Sequence, residues 1–151
     1  MYISVDPGEN VGVATFREDG TDIGKTVVPL PNFRTFLTNT YFAIKDRDEK
    51  LRFVVESFAL RQDKSWEQTG SNMPASRCIG SIEQIMSLLG EQSMLWWAEP
   101  RNLRGALKIA GYPELARKPK NWHCPDDLAA YAHGVHRLVE LGVRKHPIFD
   151  N

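Results

Sequence analysis

At 151 residues the chain has the length of one domain, and 42% hydrophobic with 25% charged residues is the balance of a packed globular protein. That excludes disordered, collagen-like and repeat-built chains, and apolar runs such as Met94–Ala98 are far short of the ~20 residues that span a bilayer. The formal charge of zero hides a segregation: residues 101–120 carry six basic side chains against Glu114 alone, a net +5, so the remainder carries −5. A basic segment on a mildly acidic body suits a protein that meets phosphate with one face. Met1–Asp6 has no basic leader, which argues against a signal peptide, and Cys78 and Cys124 are too few for a disulfide framework. These features predict a soluble, cytoplasmic protein with no membrane segment.

In chain order, Tyr2–Asp6 reads as a strand stopped by Pro7-Gly8, and Val11–Phe16 as a second strand completing a hairpin across the intervening turn residues. Glu18-Asp19-Gly20 makes another turn, and Ile23 to Leu30 a third strand of an antiparallel meander. Phe33, Phe36, Leu37, Tyr41 and Ile44 have helical spacing, with Asn32 as the candidate N-cap. Leu51–Glu56 is a buried strand, residues 60–74 are aperiodic and read as a long loop, and Ile79, Ile82, Ile85, Met86 and Leu89 stripe a helix that Gly90 ends. Met94–Ala98 reads as another buried strand, whose adjacent Trp96 and Trp97 would point to opposite faces. A short helix over Leu103, Leu107 and Ile109 follows, then a strong one from about Pro125 with acids in its first turn. The order predicts a single α/β domain over residues 1–151 with a mixed sheet.

Three places could carry chemistry. Asp6 and Glu56 each end an apolar strand in a carboxylate, which burial penalises unless something neutralises it. If those strands are neighbours, the two acids converge. His123 and Asp126, three apart at the start of the last helix, can face the same way. Hard oxygen ligands from three elements plus one imidazole suit Mg²⁺ or Mn²⁺ better than a structural zinc, and the spacing of Cys124, His123, His133 and His136 supports no zinc site. Two such ions ~3.5–4 Å apart can activate a water and stabilise a leaving oxygen of a phosphodiester.

Asp6-Pro7-Gly8 after an apolar strand, Glu56 closing another, and His123-x-x-Asp126 opening the last helix resemble the RuvC-type Holliday junction resolvases. Those belong to the RNase H-like (retroviral integrase) superfamily. Asp126-Asp127-Leu128-Ala129-Ala130 is also similar to an Asp-Ala-Leu-Ala stretch found there. The resemblance implies an RNase H-like fold, a mixed five-stranded sheet with three antiparallel strands then two parallel ones, flanked by helices. It implies a metal-dependent endodeoxyribonuclease in which Asp6, Glu56, His123 and Asp126 are both catalytic residues and ligands of two Mg²⁺ or Mn²⁺ ions. Hydrolysis would leave 5′-phosphate and 3′-hydroxyl ends. His123 stands where many relatives have an aspartate, and Asp127 where a small residue is usual. Asp127 is therefore held in reserve, as is Glu99, which ends the neighbouring strand before Pro100 but has no support from the motif.

The resemblance also implies a homodimer on branched DNA, a four-way junction, in recombination and repair, and compact chains of this kind recur among phage resolvases. Arg101, Arg104 and Lys108 follow the Met94–Ala98 strand, where relatives hold the scissile strand with basic residues, and Lys118 and Lys120 precede the last helix. Such contacts would add affinity and salt dependence without reading sequence. Trp66, or failing it Phe58, would stack on bases at the junction centre. Three rivals share the pattern: a general flap and fork nuclease, an RNase H-like nuclease of ribosomal RNA precursors, and a non-catalytic junction binder. The intact acids oppose the last, because a pure binder gains nothing from repelling phosphate.

Overall fold

A computed structural model describes residues 1–57 and 73–147. The meander forms as its alternation demands: β1 (Tyr2–Asp6) pairs antiparallel with β2 (Asn10–Phe16), and β2 with β3 (Asp22–Pro29). β4 (Leu51–Glu56) then lies parallel to β1, and β5 (Ser93–Ala98) parallel to β4. The order β3-β2-β1-β4-β5 gives the mixed five-stranded α/β sheet expected, with the two strands that end in acids side by side.

Among the described residues four helices flank it: α1 (Leu30–Ile44), α2 (Pro74–Leu89), α3 (Leu103–Ile109) and α4 (Asp126–Glu140). Period-two alternation divides β1, β2 and β4 between two faces. Ile3, Val5, Val11, Val13, Phe53 and Val55 pack with Phe33 and Leu37 of α1 and with Cys78 and Ile82 of α2. Each large side chain so buried contributes roughly 1.5–3 kcal/mol. On the other face Tyr2, Ala14 and Phe16 meet Ala130, Val135 and Leu138 of α4.

Several local expectations need correction. Asn32 does not cap α1. Pro29 is extended (φ −58°, ψ 149°) and the chain passes directly into a helix with Pro31 in its first turn, where a missing N–H costs nothing. The Leu30 N–H donates to the Glu9 carbonyl of the β1–β2 turn at 3.0 Å. Pro74 belongs to α2 and not to the loop before it, again because proline suits the first turn. β5 is not a buried strand: it is the sheet's edge, leaving Met94 and Trp97 exposed. Trp96 and Trp97 do take opposite faces, and Trp96 stacks on Tyr2 with ring centroids 6.4 Å apart.

Candidate active site

The parallel register of β1 and β4 brings their C-terminal ends together, with Val5 opposite Val55. Asp6 and Glu56 follow at the same sheet edge. α4 supplies the third acid, because its first turn rests directly on β2. A Cβ at Gly12 would overlap the Asp126 carbonyl, so only glycine allows this seat. A second glycine, Gly134, does the same two turns on, where a Cβ would come 2.9 Å from the Ser4 Cβ and collide with the Phe16 ring.

The electrostatics register the convergence. Burial pushes the Asp6 carboxyl up to about 8, helped by the negative charges of Glu56 and Asp126 and by a hydrogen bond with Asp126. A carboxyl so placed is uncomfortable when ionised, and a positive ion among the three acids is what would relieve it. Among the described residues no three His, Cys, Asp or Glu side chains form a ready-made metal cage. The donor set nonetheless fits a hard divalent cation, since it offers carboxylate oxygens from three separate elements.

The other site residues expected from sequence are placed less centrally. His123 is 87% exposed, and among the described residues its Nε2 pairs only with Asp126, at 3.5 Å. Asp127 is engaged elsewhere: it accepts from the Leu128 N–H at 2.9 Å and pairs with Lys25 of β3 at 3.5 Å. Glu99 is exposed just after β5. Arg101, Lys108, Lys118 and Lys120 are exposed on the segment between β5 and α4. Arg104 is not: its guanidinium donates to the carbonyls of Ala116, Lys118 and Pro119 at 2.6–3.1 Å, tying α3 to the stretch that leads into α4. Phe58 and Trp66 lie outside the described residues.

Sequence reasoning missed one residue at the site. His133 is 2% exposed, and its Nε2 stands 3.0 Å from Glu56 Oε2. The available signal was its spacing, seven residues and so two turns after Asp126 on the same helix face. Cys124 is buried beside the acids, and burial with their negative charge pushes its thiol up to about 11, leaving it inert as a nucleophile. A separate groove of about 620 Å³ between α1 and α2, lined by Arg34, Arg77, Ser81 and Gln84, contains none of the acids.

No protein-family model matches the chain, and no curated protein matches it. Among solved structures it is similar to T. thermophilus RuvC in complex with a Holliday junction substrate, at 15% sequence identity and a TM-score of 0.54. The similarity covers 94% of this chain and 96% of that one. The chain shares the RuvC-like, RNase H-like fold.

Proposed function

We infer that the chain is a divalent-metal-dependent endonuclease that resolves four-way DNA junctions by paired hydrolytic nicks, acting as a homodimer. The observation that carries this reading is the meeting of Asp6, Glu56 and Asp126 at one edge of the sheet, with Asp6 raised to about 8. Acids gathered in a half-buried position, with one carboxyl strongly perturbed, mark a candidate site for a cationic ligand. The fold similarity to a protein solved on a Holliday junction supports branched DNA as the substrate.

Asp6, Glu56 and Asp126 would hold one or two Mg²⁺ or Mn²⁺ ions, which would supply Lewis acidity at the scissile phosphate and a nucleophilic water at neutral pH. His123, exposed beside Asp126, would add a nitrogen donor from the solvent side. Asp6, which feels the charge of both Glu56 and Asp126, is the acid that a bound ion would relieve most. Arg101, Lys108, Lys118 and Lys120 present charge along one connected segment and would hold the backbone by phosphate contacts.

The test is cleavage of a labelled mobile four-way junction beside a matched duplex, a flap and an RNA stem, each in Mg²⁺, Mn²⁺ and EDTA. Paired nicks on the junction, absent in EDTA, are the expected result. Asp6→Asn should lower the rate on the order of 10³-fold, several kcal/mol of transition-state stabilisation, while junction binding in Ca²⁺ persists. Equal cutting of flaps would make the protein a general branched-DNA nuclease, and tight binding with no cutting of anything would make it a binder.

A further inference from the structure

Three polar side chains are buried among the described residues, Ser4, Thr40 and His133, and of these only His133 touches a candidate metal-binding acid. Its Nε2 faces Glu56 Oε2 at 3.0 Å. A carboxylate oxygen only accepts, so Nε2 is the nitrogen that carries hydrogen and donates. The other ring nitrogen, Nδ1, is buried with no hydrogen-bond partner among the described residues. An imidazole that leaves one nitrogen bare in the interior is a poor filler, since an apolar side chain would pack there without that cost. The single polar engagement of the ring is with Glu56.

We propose that His133 is a positioning residue: it fixes Glu56 Oε2 by donation from Nε2 and leaves Oε1 as the oxygen offered to a divalent ion shared with Asp6 and Asp126. This rests on the metal-dependent reading above. The terminal torsion of a glutamate is soft, so an unanchored carboxylate must be ordered each time an ion binds. Donation from a buried ring removes that cost, as the outer hydrogen-bond partners of metal ligands commonly do. α4 therefore contributes twice, with Asp126 as a ligand and His133 two turns later as the anchor of a ligand on β4. At the next residue, Gly134, α4 lies too close to Ser4 and Phe16 to admit a Cβ. His133 and Val54, which precedes Glu56 on the same face of β4, line one small cavity of about 120 Å³, so the anchor is set from behind the strand end.

The experiment is calorimetric titration of Mn²⁺ into metal-stripped full-length protein, with thermal melting in EDTA to show that each variant folds. His133→Gln places an amide nitrogen near the Nε2 position, whereas His133→Asn reaches only as far as Nδ1. The expected result is that His133→Gln stays within a few-fold of the wild type, while His133→Asn and His133→Leu bind Mn²⁺ 10- to 100-fold more weakly. If His133→Leu does not fold, the Gln and Asn pair decides alone. Equal affinity in those two variants overturns the positioning role. A wild type that binds no Mn²⁺, in the same titration with Asp6→Asn as its blank, overturns the metal reading itself and the inference with it.

Discussion

β1 presents Ile3 and Val5 to one side of the sheet and Tyr2, Ser4 and Asp6 to the other, and the two faces solve opposite problems. Towards α1 and α2 the chain is generous with volume: Phe33, Phe53, Leu37 and Ile82 interlock, each 0–1% exposed. Towards α4 it is sparing, and Gly12, Ala14 and Gly134 let a helix come close enough to deliver Asp126. The first face supplies stability by buried apolar area. The second keeps its bulk, Tyr2, Phe16 and Leu138, away from the acid-bearing strand ends and uses small residues where α4 must bring Asp126 close to the other acids.

Three outcomes would break or sharpen this contrast. The largest concerns the apolar face. Phe53→Ala should cost about 3–5 kcal/mol by the denaturant midpoint, with Mn²⁺ affinity of the remaining folded protein unchanged. Loss of metal affinity there would mean that the two faces are not separable. Next, Gly12→Ala forces a Cβ into the Asp126 carbonyl, and backbone cannot yield as a side-chain tip can. It should cost about 2–3 kcal/mol and, unlike Phe53→Ala, also weaken Mn²⁺ binding in calorimetry.

The third outcome concerns pH. Asp6 keeps its proton to about 8 in the folded chain against an ordinary value of 3.8, so the native state binds more protons than the unfolded state between those limits. Stability in EDTA therefore falls as pH rises from about 4 towards 8. Melting of the wild type at pH 5 and pH 8 should show that loss, and Asp6→Asn should remove most of it. A variant as pH-sensitive as the wild type would locate the strain elsewhere.

Much of this arrangement was legible in the residues. Strand-end acids after Ile3-Ser4-Val5 and Phe53-Val54-Val55 are anomalous wherever they occur, and Asp126 opens a helix with an unmistakable apolar stripe. The antiparallel meander followed from the turns and alternation, whereas the pairing of the first and fourth strands came only with the family resemblance. What escaped depends on pairs far apart in the chain. His133 inside a helical stripe reads as an ordinary core position until Glu56 is placed opposite it, 77 residues away. Arg104 looks like a free cation until three carbonyls 12–15 residues on close around it. Met94–Ala98 is apolar enough for a central strand, and only the full order shows it at the edge, where Trp97 remains exposed.

The acids stand 50 and then 70 residues apart along the chain, on a first strand, a fourth strand and the last of the four helices described. No local segment contains even two of them, so nothing resembling the site forms until the parallel β1–β4 pairing is complete and α4 has docked on Gly12. Non-local pairings of this kind form late, after the loop entropy between them has been overcome. If the chain is the nuclease proposed above, assembly of the site from distant segments would act as a safety catch during synthesis, released only once α4 is in place.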